Sequence, residues 1–484
     1  MEDKLSLSEL RLDEKNVSFL SQARWFQQKG SRILALRIRD EVVLHGGVNL
    51  CFVDVKTSGR DSELYLMLVD ELGELRDIDH EAFIEFFTAN LDICSSVMTR
   101  GGRIMFTKHQ DWNLGKGCCF EPMPLSSSNT LMRIKPKAGH DLMAKFIRRL
   151  QAGDNVEASI NRHIFGEGKF SAAPMFKGSV EYVDSTSRRY HIASLFEYVE
   201  NQGSAWDVSL RNLSSLISEA SSSKFRGTPV KAGIAREADF ARRIGGVLAS
   251  LHLSLARDGD GSFGVREVLD DDLRIWHDNW IMQFDRAFAL LEASSVRSPN
   301  MEKVISMKAD VRKLLDSGIF DLKSIGHKIR QHGDFHLGQL LVCDGDLRII
   351  DFEGEPLKDY AERAIHYPAL KDVAGIVRSF SYAAFAAYFD AVKGERKEYD
   401  VSAVSDLCFE WERVSCRSFL DAYFDSLHSG GATFLPSENR ALTERALNLF
   451  VLDKALYEIE YEINNRPDWV EIPISGIMKI MEVR

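Results

Sequence analysis

The stretch Arg330-Gln-His-Gly-Asp-Phe-His-Leu-Gly-Gln339 places a carboxylate, Asp334, a short loop's length before an amide, Gln339. That spacing suits one tight loop presenting both side chains to a single pocket. Further on stands Asp351, in Asp351-Phe-Glu-Gly-Glu-Pro356, and the apolar runs LLV and LRII in between flank Asp344-Gly345-Asp346, a hairpin signal. Folding that hairpin returns Asp351 to the neighbourhood of Asp334. The chemistry such a set suits is phosphoryl transfer, which needs an aligned acceptor hydroxyl, a carboxylate for its proton and a divalent metal against the phosphate charge. Magnesium prefers oxygen and takes few protein ligands, so Asp351 with the side-chain oxygen of Gln339 suffices and Asp334 is left as base and orienter. A lone His-Gly-Asp carries no weight, since loop carboxylates are mostly solvated or capping. The succession of loop, apolar hairpin and acidic loop needs a joint explanation.

HGDFHLGQ and DFEGEP resemble the catalytic and metal-binding loops of aminoglycoside-phosphotransferase-like kinases, with Gln339 in the place of the more usual asparagine, and within them the bacterial maltokinases. ARWFQQKG near the start, LKDVAGIVRSFSYAA at 370–384 and ALYEIEYEINNRPDWVEIP at 455–473 resemble the same family, while Gln27-Gln28 departs from it. The resemblance implies an α+β, protein-kinase-like bilobal fold with an N-terminal cap, a mixed β small lobe and a mostly helical C-terminal lobe. It also implies ATP and Mg2+ as cofactors, a small sugar as substrate, and transfer of the γ-phosphate to the anomeric hydroxyl of maltose in α-glucan metabolism. Association with trehalose- or glucan-metabolising enzymes would accompany that role. The alternatives are a glucosamine or other small-molecule kinase of the same fold, and an inactive kinase-like binding module. The presence of Asp334, Gln339, Asp351 and Lys145 together disfavours the inactive module. A protein kinase is disfavoured by the lack of DFG and APE motifs after the loop.

Such a fold needs a lysine on the third small-lobe strand, paired with a helix glutamate, to hold the α and β phosphates. Lys145 in LMAKFIRRL fills that place, with Glu157 on the following helix candidate; Lys135 competes, but Pro136 signals a strand end. No G-x-G-x-x-G or Walker A pattern occurs in this region. The turn Ser126–Asn129, with Ser128 and Asn129, resembles the phosphate-covering turn of maltokinases, although an ordinary polar turn has the same composition. Lobe order puts the adenine against the backbone of Glu197–Val199. His332 reads as support for the catalytic loop, and His336 faces either substrate or structure. Asp372 braces that loop, and Arg378 reaches substrate or a carboxylate. His252, within an apolar helix, reads as a satisfied core histidine. In the helical segment 457–466, Tyr457 and Tyr461 share one face and Glu458 and Glu462 a neighbouring one, which suits a sugar site or an amphipathic surface helix.

The elements that position these residues follow from the wider pattern. With 484 residues, two or three domains are expected: a cap over 1–100, a small lobe over 101–204 and a helical lobe over 205–484. Strands are expected over Thr130–Lys135, Asp141–Ile147 and His191–Val199. Helices are expected over HEAFIEFFTANLDICSSVM, Arg148–Phe165 and DFARRIGGVLASLHLSLA, and a loop over LISEASSSKFRGTPVKAG at 216–233. Arg24-Trp25-Phe26 reads as an aromatic anchor. A net charge of −11 leaves no basic excess for a nucleic-acid backbone. Seven cysteines without C-x-x-C spacing fit reduced thiols in a cytoplasm. Neither a signal peptide nor an apolar run of membrane-spanning length is visible, so a cytoplasmic chain without a membrane partner is expected.

Overall fold

The computed structural model describes residues 9–482 apart from 27, 60, 110–111, 116, 124–128, 222–227, 259–260, 296, 356–357, 359, 394–399 and 437–438. The chain divides into two compact units, Met1–Arg162 with Pro174–Val199, and His163–Ala173 with Glu200–Arg484. The segment expected to form a separate cap thus shares its unit with the strands that follow it.

The first unit is built on two antiparallel sheets. One runs in the order Ile33–Val43, Val48–Thr57, Glu63–Asp70, Arg149–Leu150, with Leu75–Arg76 beside the third of these. The period of two in a strand sends alternate residues to opposite faces, and here both faces are buried. Phe52, Leu66 and Leu68 pack with Phe83, Phe87 and Phe146 on one side. Cys51, Val53, Tyr65 and Met67 pack with Leu20, Trp25 and Phe26 on the other. The aromatic anchor expected at Trp25 is therefore part of a core, and the Arg148 guanidinium lies 4.2 Å from its ring centroid.

The second sheet has seven strands among the described residues. Its order is Ser96–Met98, Gly102–Lys108, Phe176–Asp184, Arg189–Glu197, Leu142–Phe146, Thr130–Lys135, Cys119–Pro122. The helix expected over Arg148–Phe165 begins only at Val156. Arg149–Leu150 instead pairs with Leu64 and Tyr65, and the Asn155 side chain accepts from Ala158 N at 2.8 Å at the helix start. A local helical pattern loses here to a strand partner distant in sequence.

The second unit is helical, around a hairpin of Leu340–Cys343 and Asp346–Ile349, with a further short pairing of Arg266–Glu267 and His327–Lys328. The expected loop at 216–233 is mostly helix. Ala205–Ser221 runs through LISEAS because Leu213, Leu216 and Ile217 form a buried stripe, and the next helix spans Thr228–Leu255. Among the described residues no helix is long and apolar enough to cross a membrane.

Candidate active site

The loop carrying Asp334 is held from below by Asp372, in the first turn of the helix Leu370–Lys393. Asp372 Oδ2 accepts from His332 N at 2.8 Å and Oδ1 from Gly333 N at 3.0 Å. His252 completes the brace, its Nε2 3.1 Å from Asp372 Oδ2 and its Nδ1 2.7 Å from the Tyr423 hydroxyl. Burial would raise the Asp372 carboxyl, but the His252 hydrogen bond and charge and the loop N–H outweigh it and hold it below the ordinary value. His332 Nε2 lies 2.9 Å from Ile350 O, tying the loop to the end of the hairpin. Gly375 lets the helix approach: a Cβ there would lie 2.3 Å from the Phe335 carbonyl oxygen.

His336 is a cap. Its Nδ1 accepts from Gly338 N at 3.0 Å at the head of the short turn Leu337–Gln339, and burial lowers its pKa, which favours the neutral ring that this cap needs. Of the two readings left open for it, the geometry matches the structural one.

The hairpin turns through Asp344 and Gly345, both at positive φ (33° and 93°), as a two-residue turn compatible with strand twist requires. Asp351 thereby returns to Gln339, whose Nε2 lies 3.3 Å from Asp351 Oδ2. Rotating the amide exchanges its nitrogen for its oxygen, so the pair offers one carboxylate and one amide oxygen, donors that suit magnesium. Asp351 itself sits at φ 64°, a left-handed conformation that short polar side chains tolerate best among non-glycines.

Asp334 opens on a cavity of about 390 Å³ within the second unit, lined largely by the helices Asp270–Ala293 and Arg440–Asn465. Lys454 enters it from the second of these helices, Nζ 3.1 Å from Asp334 Oδ1 and 3.4 Å from Glu355 Oε1. Lys358 pairs with the same Glu355. Burial alone would raise the Glu355 carboxyl, yet Lys454, Lys371 and Lys358 around it hold it far below the ordinary range. Lys371, with its ammonium 3.8 Å from the Tyr367 ring centroid, is pushed down to about 8, first by burial and then by Lys358.

Tyr457 and Tyr461 line the cavity, with Glu460, Asn464 and Asn465. Arg378, Glu458 and Glu462, expected as substrate groups, do not line it. One residue advances a helix by about 100°, which turns the two glutamates from the tyrosine face into the packing between helices. Glu458 is buried against Arg378, at 2.9 Å from Nε and 2.6 Å from Nη2. Glu462 accepts from the Tyr382 hydroxyl at 3.0 Å and from Arg466. Lys454, Glu355 and Glu460 were missed in the sequence. A signal existed, since 453, 454, 457, 460, 461, 464 and 465 form a polar and aromatic stripe at helical spacing.

In the first unit Lys145 stands near the end of Leu142–Phe146, paired across to Ser194 and Leu131, on the face opposite the core residues Leu142, Ala144 and Phe146. Its Nζ lies 3.2 Å from Glu157 Oε1 on the helix Val156–Phe165, and both groups are buried. Lys135 instead ends its strand as an exposed partner of Glu121 at 2.7 Å. Asn129 immediately precedes the strand Thr130–Lys135, while Ser126, Ser127 and Ser128 lie outside the described residues. Glu197 closes the strand Arg189–Glu197, its N donating to Met175 O at 2.8 Å, and Val199 follows at the unit's end.

The fold these units define is α+β and protein-kinase-like, with a β-rich N-terminal portion and a helical C-terminal portion. It is similar to a solved glucosamine kinase (crystal form B) with a TM-score of 0.67 at 19% identity, over 96% of this chain and 99% of that one. It is similar also to a glucosamine kinase solved in complex with glucosamine, ADP and inorganic phosphate, at a TM-score of 0.65 and 19% identity, covering 97% and 99%. In sequence the chain is 24% identical over 346 residues to the glucosamine kinase of Mycolicibacterium smegmatis, 71% of this chain and 76% of that protein. It is 24% identical over 246 residues to the glucosamine kinase of Streptacidiphilus jiangxiensis, 50% of each. No protein-family model matches the chain. These relatives are named for glucosamine rather than for the maltose that the sequence motifs suggested.

Proposed function

We propose that this chain is an ATP-dependent kinase that phosphorylates a hydroxyl group of an aminosugar, glucosamine or a near analogue. The observation that carries the reading is Asp334, braced by Asp372 at the mouth of a sugar-sized cavity and joined by one hairpin to the Gln339–Asp351 pair. The relatives named glucosamine kinase, one of them solved with glucosamine and ADP, support the choice of acceptor.

In this reading Asp334 aligns the acceptor hydroxyl and receives its proton. Gln339 and Asp351 would hold magnesium, and Lys145, kept in place by Glu157, would hold the nucleotide phosphates, with Ser128, Asn129 and the backbone of Glu197–Val199 on the nucleotide side. Bound magnesium supplies charge neutralisation at the phosphates. Tyr457 and Tyr461 offer flat faces to the sugar ring, and Asn464 and Asn465 offer polar groups to its hydroxyls. A cationic aminosugar calls for a carboxylate against its ammonium. Asp334 and Glu355 are already engaged by Lys454, and Asp453 accepts from Gln283 at 3.1 Å and faces Lys371, Lys358 and Lys454, whereas the Glu460 carboxylate has no ion pair among the described residues. Glu460 is therefore assigned to the ammonium.

ADP release over a panel of sugars tests this. Glucosamine should turn over at least about tenfold better than maltose at equal concentration, since one missing charged contact costs about 1.5–3 kcal/mol. Glu460→Gln should raise KM for glucosamine and leave KM for ATP unchanged. Maltose outperforming glucosamine would replace the acceptor and leave the kinase; no ADP release with any sugar would remove the kinase.

A further inference from the structure

A cation 3.1 Å from one oxygen of the carboxylate that would accept a proton is at first sight a handicap, because an ammonium stabilises the carboxylate and weakens it as a base. The geometry shows what the cation does instead. Lys454 Nζ reaches Asp334 Oδ1 on the catalytic loop and Glu355 Oε1 on the loop that follows Asp351, so one ammonium ties both loops to the helix Arg440–Asn465. Asp334 Oδ2 has no hydrogen-bond partner among the described residues. The same ammonium lies 5.0 Å from the Tyr457 ring centroid, and Tyr457 lines the cavity.

We infer that Lys454 is the positioning residue of the catalytic carboxylate: it clamps Oδ1 of Asp334 and leaves Oδ2 aimed at the acceptor hydroxyl. This rests on the kinase reading of Asp334. A carboxylate on a loop has two equivalent oxygens and a free χ2, so an unclamped Asp334 presents either oxygen in many orientations. With one oxygen held, the other is fixed relative to the helix that supplies Tyr457 and Tyr461, and a sugar lying on those rings meets a base in fixed register. Because the clamp also holds Glu355, a shift of the loop after Asp351 is felt at Asp334.

The test is steady-state kinetics on Lys454→Met, Lys454→Arg and Lys454→Ala, with the melting temperature as a check on folding. Lys454→Met should lower kcat with glucosamine by about 100-fold, the cost of a misplaced catalytic group, with KM for ATP within about twofold of wild type. Lys454→Arg should recover part of the loss, and added methylamine should partly restore Lys454→Ala. A merely structural lysine would give neither the kcat-only defect nor rescue by a free amine, and their absence overturns the inference. The clamp is also read without turnover. Reductive methylation should label Lys454 slowly in wild type and several-fold faster in Asp334→Asn; equal rates overturn the clamp whatever the substrate. A wild-type enzyme that phosphorylates no sugar would fault the proposed function instead, while the labelling result would still decide the clamp.

Discussion

A base in phosphoryl transfer contributes by being charged and by pointing at the acceptor, and in the function proposed for Asp334 the two demands act on different neighbours. Asp334→Asn keeps the size and most hydrogen bonds but removes the proton acceptor, so kcat should fall by about 10²–10⁴-fold while the melting temperature and KM for ATP hold. Stopped-time ADP assays decide it, and near-normal turnover would take Asp334 out of the mechanism. Lys371 answers to stability instead. Its folded pKa of about 8 lies below the lysine value of 10.5. Below pH 8 it is protonated in folded and unfolded states alike, and the full cost of burying its charge is present. Between pH 8 and 10.5 only the unfolded state keeps the proton, so stability rises with pH, and above 10.5 the cost is gone. Lys371→Met should accordingly add about 1–3 kcal/mol at pH 7 and nothing above pH 10.5 in urea unfolding; a gain independent of pH would contradict the assignment. At this scale Asp334, Gln339, Asp351 and Lys145 were legible because each sits in a motif with its own local grammar. Lys454 and Glu460 were not, because their meaning depends on which face of a long helix turns to the cavity, and one residue of phase decides that. The same phase turns Glu458 and Glu462 away from the cavity.

Helices here act as rulers for loops. The helix Leu370–Lys393 supplies Asp372 to the Asp334 loop and, one turn on, Gly375, where the loop's Phe335 carbonyl touches the helix backbone. In a free helix Gly→Ala stabilises by about 1 kcal/mol. At Gly375 the added Cβ would meet a backbone oxygen at 2.3 Å, which no side-chain rotation relieves. Gly375→Ala should therefore push the Asp334 loop outward, lowering kcat at least about tenfold with the helical content unchanged. Full activity in the folded variant would show that the loop has slack. The hairpin between Gln339 and Asp351 was readable from Asp344-Gly345 and its apolar flanks, since turn chemistry is local. The start of the helix at Val156 and the helical run through LISEAS were not. The first was decided by pairing of Arg149–Leu150 with a strand far back in the chain, and the second by burial of Leu216 and Ile217, and neither partner is visible within a short window.

For the whole molecule, net charge is a sum that needs no register and is read directly, whereas the division into a β-rich and a helical part followed from the resemblance and from periodicity along the chain. What sums cannot reveal is coupling between nucleotide and fold, and that is open to measurement. A ligand that binds only the folded state stabilises it by about 2.7 kcal/mol at a hundred times its Kd. Magnesium-ATP should raise the calorimetric transition of wild type and of Asp334→Asn alike, since that substitution spares the Gln339–Asp351 pair. Asp351→Asn should lose most of the rise. Asparagine tolerates the left-handed backbone at this position, so misfolding is not the expected cause. Asparagine keeps an oxygen for the metal but gives up the charge, and magnesium binds an amide oxygen far more weakly than a carboxylate. With two compact units, calorimetry is preferred to a single spectroscopic probe, because the units can melt in separate transitions. An Asp351→Asn protein that shifts as far as wild type would remove Asp351 from nucleotide binding. A wild type that does not shift would remove the nucleotide.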